Sequence, residues 1–187
     1  MSEIVLVRHG ETEWSRSSQH TGTTDLPLLP EGETQAREVA PRLAGREFAL
    51  VLCSPMQRAR RTAELAGFGD RAEPDDDLKE RDYGVYEWRT TKEIRVEHPG
   101  WDVWRDDCPG GETLEQLAAR ADRVIERALA AGGDTLVFAH SHLLRTLGAR
   151  WIGLAPDGGG KLVLGTATLS TLGFERERRV IKRWNWT

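Results

Sequence analysis

The run Ile4-Val5-Leu6-Val7, followed at once by Arg8-His9-Gly10-Glu11-Thr12, decides the fold. Four consecutive apolar residues, three of them β-branched, read as a strand buried on both faces, as a parallel sheet requires. The run stops at an arginine, a histidine and a glycine that permits a tight turn. Two further runs repeat the arrangement. Residues 48–53 form a second apolar strand that ends at Ser54-Pro55, and residues 135–139 a third that ends at His140. A helical pattern follows each.

The helices read from apolar spacing. Residues 31–44 place Ala36, Val39, Ala40 and Leu43 on one face, the stripe of a helix lying on a core. Residues 56–66 form a helix with Pro55 near its first turn. Residues 67–77 are polar and carry glycine and proline, so they read as loop. A short helix falls at 91–98. The strongest pattern covers 113–131, with Leu114, Leu117, Ala118, Ala121, Val124, Ile125, Ala128 and Leu129 in steps of three and four. Thr113 and Gln116 supply a capping box, and Gly132-Gly133 the stop. A helix over 141–154 follows His140. Residues 168–174 and 180–186 are later strands, joined by a charged turn, with Trp184 and Trp186 read as edge-strand core. Alternating strands and helices predict one domain over 1–187, a three-layer α/β/α sandwich with a mostly parallel central sheet.

Composition narrows the function. Lys+Arg is 26 and Asp+Glu 30, so the net charge is 26 − 30 = −4. No basic excess exists to neutralise phosphates in bulk, which argues against nucleic acid as partner. Lysine stands only at 79, 92, 161 and 182, which leaves 22 arginines. Most of that excess reads as coding bias. Two cysteines, Cys53 and Cys108, make neither a disulfide framework nor a metal quartet. No apolar run approaches the ~20 residues that span a bilayer, and no secretory leader is evident. The expectation is a cytoplasmic protein with no membrane association. Oligomeric state, a homodimer included, has no signature in the sequence.

In open α/β sheets, ligands gather beyond the carboxyl ends of the strands. Arg8-His9, Ser54-Pro55 and His140 converge there. Neutral imidazole is a competent nucleophile, and a neighbouring guanidinium suits phosphate oxygens. Arg58 sits one turn into the helix after Ser54-Pro55, where it adds to the positive helix end. His140, with helix N–H groups just after it, suits an equatorial phosphate oxygen. His142 reads as structural, or as a support behind the groups that touch the ligand. Departure of an alkoxide needs a proton, and Glu80, Asp82 and Glu87 are equal candidates on chemistry alone. Other phosphate chemistries fail on spacing. Six residues after Cys53, where a cysteine phosphatase needs arginine, stands Ala59, and Gly160-Lys161 is followed by Leu162, not Ser or Thr. Asp75-Asp76-Asp77 has no nearby histidine and reads as a solvated loop.

The whole set resembles the histidine phosphatase superfamily, also called phosphoglycerate-mutase-like. The resemblance runs through Arg8-His9-Gly10-Glu11-Thr12-Glu13-Trp14, then Gly22-Thr23-Thr24-Asp25-Leu26-Pro27-Leu28 with Gly32. It continues in Ser54-Pro55-Met56-Gln57-Arg58-Ala59, residues 78–87, and Ala139-His140-Ser141-His142. It implies a phosphohistidine at His9, phosphate oxygens held by Arg8, Arg58 and His140, and Glu80 as proton donor. Ser15 and Ser141 are implied as further phosphate contacts, although the family commonly has Asn and Gly there. Trp88 likewise stands where the family commonly has Gly. The family needs no metal, and no cofactor is expected. The stretches around His20, Tyr83 and Trp104 resemble a branch of acid phosphatases and sedoheptulose-bisphosphatase-like sugar phosphatases. His20, Thr21, Gly22, Trp104, Arg105 and Glu112 are the expected substrate rim. The short segment between Glu80 and Thr113 favours a phosphatase of small phosphorylated metabolites over a mutase. A catalytically weak binding protein is the remaining alternative, against which the intact His9, Arg8, Arg58, Glu80 and His140 speak.

Overall fold

The computed structural model of the chain describes residues 2–187. Its sheet has six strands: β1 (Ile4–Arg8), β2 (Leu50–Cys53), β3 (Glu73–Pro74), β4 (Thr135–Ala139), β5 (Leu169–Glu175) and β6 (Arg178–Trp186). They lie in the order β3-β2-β4-β1-β5-β6. The first four run parallel, and β5 and β6 are antiparallel. The helices are α1 (Glu13–Arg16), α2 (Pro30–Leu43), α3 (Gln57–Leu65), α4 (Thr91–Glu97), α5 (Leu114–Ala130) and α6 (Ser141–Trp151).

Strand side chains alternate between faces, and each face has its own helices. Ile4, Leu6, Leu52, Val137 and Ala139 pack against α5 and α6. Val5, Val7, Val51, Cys53, Leu136 and Phe138 pack against α2 and α3. That is the expected three-layer sandwich. α5 keeps its capping box at Thr113 and Gln116, and Gly132, at φ +74°, carries the chain out of it. A separate cluster of Tyr83, Tyr86, Ile94, Trp101, Val103 and Cys108 lies under the loops between β3 and α5.

Local readings shift in three places. The 67–77 stretch contains β3, which pairs with Leu52 and Cys53 at the sheet edge; Pro74 is tolerated there because an edge strand leaves one side unpaired. α1 is an additional short helix, closed by a Thr12–Ser15 capping box. Trp184 and Trp186 are half-buried and pack on opposite faces of the sheet. Strict alternation would put them on one face. The register shift in the β5–β6 pair and left-handed Asn185, φ +54°, turn one of them over.

The ladder sets the site. Arg8 pairs with Ala139, and Cys53 with Phe138. The His9 N–H donates to the Ala139 carbonyl at 3.0 Å, and the Ser54 N–H to the Phe138 carbonyl at 2.9 Å. His9, His140 and Ser54 therefore stand side by side beyond three parallel strand ends.

Candidate active site

His9 is buried, 6% exposed. Its Nδ1 lies 2.7 Å from the Gly10 carbonyl. A carbonyl only accepts, so Nδ1 carries the hydrogen and Nε2 keeps its lone pair. Burial, then the charges of Arg58 and Arg8, push the ring well below its ordinary pKa of 6.5. The imidazole is neutral and its Nε2 is nucleophilic. The turn that aims it is tight: a Cβ on Gly10 would sit 2.2 Å from the Gly32 carbonyl oxygen. The Gly10 N–H donates to Thr62 Oγ1 on α3 at 3.0 Å.

The His140 ring centroid is 5.1 Å from that of His9. Arg58 Nε donates to His140 Nδ1 at 3.1 Å. His140 Nε2 therefore carries the hydrogen and donates to Ser54 Oγ at 2.7 Å. Arg58 is fully buried. Its remaining nitrogens donate to the carbonyls of Thr24 at 2.9 Å, Gly22 at 3.1 Å and Thr21 at 3.4 Å. Arg8 Nη1 donates to the Leu164 carbonyl at 2.6 Å. Arg8 Nε is buried and has no hydrogen-bond partner among the described residues. Such a donor is costly unless something fills its site, and an anion oxygen at the cleft would do so.

Glu80 is 7% exposed. Its Oε1 accepts from the N–H groups of Arg81 and Leu143, and its Oε2 from that of His142, each at 3.0 Å. Burial opposes its charge, but its contact with the His142 side chain and the hydrogen bond from the His142 amide outweigh that and hold the carboxyl well below 4.5. The amides of His142 and Leu143 thus serve Glu80, while Ser141, the first residue of α6, lines the cleft. His142 Nδ1 is 2.7 Å from the Tyr83 hydroxyl and 3.8 Å from Glu80 Oε2. Burial holds Tyr83 protonated, far above its usual pKa, so Tyr83 donates and His142 accepts.

These groups enclose a cleft of about 260 Å³, lined by Arg8, His9, Ser15, His20, Glu80 and His142 among others. A larger groove of about 800 Å³ lies on the outer side of Glu80. Its cations are paired with acids, Arg120 with Glu112, Arg123 with Asp77 and Lys79 with Asp76. The smaller cleft is the one that His9, with its free ring nitrogen, and Arg8, with its buried Nε, line.

The sequence-predicted residues divide as follows. His9, Arg8, Arg58, His140 and Glu80 come together. Ser15 and Ser141 line the cleft, but the Ser15 hydroxyl donates to the Thr12 carbonyl at 3.0 Å, closing the α1 cap rather than reaching inward. His20 and Thr21 also line it. Gly22 borders the outer groove and contributes its carbonyl to Arg58. Trp104 stands behind His142, stacked at 4.8 Å. Arg105 points away, to Asp106 and the Gly100 carbonyl. Glu112 pairs with Arg120 on the outer groove. His142, read as structural, is part of the cleft wall. Tyr83, Ser54 and Thr62 complete the site; Ser54 was marked by its position at a strand end, Tyr83 and Thr62 only by lying in stretches that carry the family resemblance.

Four histidines share one electrostatic condition. Burial is the largest cause pushing His9, His20, His140 and His142 down, His20 to about 4. Between each folded pKa and 6.5 the unfolded chain binds the proton that the folded chain refuses, so stability rises with pH across that window. Acidification from pH 7 to pH 5 should therefore lower the melting temperature. The limit is roughly 1.4 kcal/mol per histidine per pH unit below 6.5. Glu80 adds to the loss below 4.5, where its proton must be forced on. Denaturation followed at stepped pH checks this; a flat profile between 7 and 5 would contradict it.

Fold and site together define an α/β protein that holds a neutral histidine beside Arg8 and the buried Arg58 at the carboxyl ends of its parallel strands. The chain belongs to the histidine phosphatase superfamily, branch 1, whose pattern it matches over residues 4–187. It is 40% identical over 177 residues to the acid phosphatase of Mycobacterium tuberculosis, covering 92% of this chain and 86% of that protein. It is 38% identical over 183 residues to the sedoheptulose 1,7-bisphosphatase of Saccharomyces cerevisiae, covering 80% and 67%. Its fold superposes with a TM-score of 0.95 on a functionally characterised open reading frame of Mycobacterium tuberculosis, at 37% identity over 100% of this chain and 98% of the other. The resemblance seen in the sequence and the expected fold class are thereby borne out. Among the described residues no helix is long and apolar enough to cross a membrane.

Proposed function

We propose that this protein hydrolyses phosphomonoesters of small phosphorylated metabolites through a phosphohistidine at His9. One observation carries the proposal: His9 Nε2 holds a free lone pair in the cleft where Arg8 Nε lacks a partner. His9 Nε2 attacks phosphorus, a P–N bond forms and the P–O bond to the leaving group breaks. The leaving oxygen takes a proton from Glu80. Water then attacks the phosphohistidine, Glu80 accepts the water's proton, and inorganic phosphate leaves with His9 neutral again. Arg8 and Arg58 bind the phosphate oxygens, and the His140 Nε2–H, which donates to Ser54 Oγ in the unliganded protein, exchanges that acceptor for a phosphate oxygen.

Glu80 is ionised in the unliganded protein, so it must gain its proton with the substrate. A phosphate dianion entering beside it disfavours a second negative charge, which draws a proton onto the carboxyl. The other side of the cleft, with Ser18, Gln19, His20, Tyr83 and His142, is polar. It supports a hydroxyl-bearing leaving group, as sugar phosphates have, rather than a lipid tail. The acid phosphatase and sugar-bisphosphatase relatives support the same class. No metal enters this mechanism, and a cytoplasmic setting that keeps buried Cys53 and Cys108 reduced belongs to the same reading.

Acid quenching during turnover tests the route, since phosphohistidine is acid-labile and base-stable. An active enzyme yielding no such species would overturn it. Strong inhibition by a chelator would reinstate a metal. Isomerisation of 3-phosphoglycerate primed with 2,3-bisphosphoglycerate, if faster than phosphate release, would assign a mutase. Glu80→Gln should slow alkyl phosphates by about 10²–10⁴-fold. Aryl phosphates, whose leaving groups need the proton least, should still phosphorylate His9 quickly and show a burst. Equal loss for both would point to another acid.

A further inference from the structure

We propose that Glu87 is a positioning residue that sets phosphate affinity by holding the Thr21–Thr24 loop against Arg58. The inference rests on the reading of the His9 cleft as a phosphate site. It starts from the way one loop satisfies Arg58. The carbonyls of Thr21, Gly22 and Thr24 all accept from its guanidinium. A buried guanidinium with three carbonyls around it has its plane and its remaining donors fixed. The aim of Arg58 is therefore decided by where this loop lies.

Glu87 holds the loop from the opposite side. The Gly22 N–H lies 2.9 Å from Glu87 Oε1 and 3.0 Å from Oε2, and the Thr24 N–H donates to Oε1 at 3.0 Å. The loop backbone is clamped between an anion that takes its N–H groups and a cation that takes its carbonyls. Both ends of the clamp fall on Gly22 and Thr24. The fit leaves no room for adjustment. A Cβ on Gly22 would sit 2.4 Å from the Arg81 carbonyl oxygen and 2.8 Å from Glu87 Oε2. The far end of the loop is tied to α3 itself, where the Gln57 N–H donates to Asp25 Oδ1 at 2.9 Å. Residue 57 precedes Arg58, so loop and guanidinium share one anchor.

Glu87 is half-buried, and both oxygens of its carboxylate are engaged by the amides of Gly22 and Thr24. The structure assigns it geometry rather than proton transfer, which separates it from Glu80 on a physical ground.

The test is direct binding of inorganic phosphate by calorimetry, together with KM and kcat on one aryl and one sugar phosphate. Glu87→Ala should weaken phosphate binding and raise KM about tenfold, the factor that a lost charge-assisted hydrogen bond carries. Turnover at saturation should stay within about threefold, with equal effect on both leaving groups. Glu87→Gln keeps one oxygen for the two N–H groups but turns an NH₂ toward Gly22. It should fall between, near threefold in affinity. Wild-type affinity in either variant overturns the inference. So does a loss confined to kcat, or one larger for the sugar phosphate, because either would mark a proton donor. If Glu87→Ala does not fold, the Gln variant alone decides. Failure of the unaltered protein to bind phosphate would instead remove the reading of the cleft, a distinguishable result.

Discussion

Replacing His9 with alanine should abolish phosphate release from every phosphomonoester. The expected fall exceeds about 10⁴-fold, the scale on which removal of a covalent nucleophile acts. The reason lies in bond order rather than in binding. His9 Nε2 keeps its lone pair because Nδ1 is committed to the Gly10 carbonyl, whereas the neighbouring His140 Nδ1 already accepts from Arg58. Phosphate affinity should survive, since Arg8, Arg58 and His140 remain. Binding of inorganic phosphate with turnover lost is the signature; residual hydrolysis above about 1% would mean a different nucleophile.

Arg58→Ala should do the opposite, losing affinity and stability together. The side chain is fully buried and joins His140 Nδ1 to three loop carbonyls. Its removal orphans four acceptors and opens a cavity. Each effect alone costs on the order of 1–3 kcal/mol, so a loss of about 3 kcal/mol or more in unfolding free energy is expected. Catalytic efficiency should fall about 10²–10³-fold, as for other lost oxyanion contacts. The half-exposed Asp25, 3.9 Å from Nη1, adds little at such exposure. Arg58→Lys should keep the charge and still lose most of the effect, because an ammonium cannot serve both the imidazole and the loop. Urea denaturation and phosphate inhibition measure the two parts separately.

The parts of the fold carried by periodicity were legible. α5 declared itself by its stripe and its capping box, and the three buried runs became the three central strands. β3 was not legible: two residues paired through backbone alone leave no side-chain signature. The catalytic floor was legible for a related reason. His9, Ser54 and His140 directly follow apolar runs, and parallel register brings such positions level. The choice among Glu80, Asp82 and Glu87 was not, since three carboxylates within eight positions are chemically alike. Their partners separate them. Glu80 receives amides from the start of α6, 62 and 63 positions away. Asp82 turns to the Gly84 N–H, and Glu87 to a loop some 65 positions earlier. The arginine count carried no functional signal. Among the described residues eleven arginines besides Arg58 pair with acids, and only placement marked Arg8 and Arg58.

The small aromatic cluster beneath the loops before α5 has a consequence for divergence. Tyr83 belongs to it, and through Tyr83 it supports His142 and one wall of the cleft. The floor, by contrast, hangs on the strand ladder and the two main cores. Wall and floor thus rest largely on different packing units, with Trp104 bridging the two. A substitution at Ile94, Val103 or Cys108 reaches the leaving group before it reaches the phosphorus. Such a division lets a lineage exchange one metabolite for another while the machinery that breaks the ester bond is inherited intact.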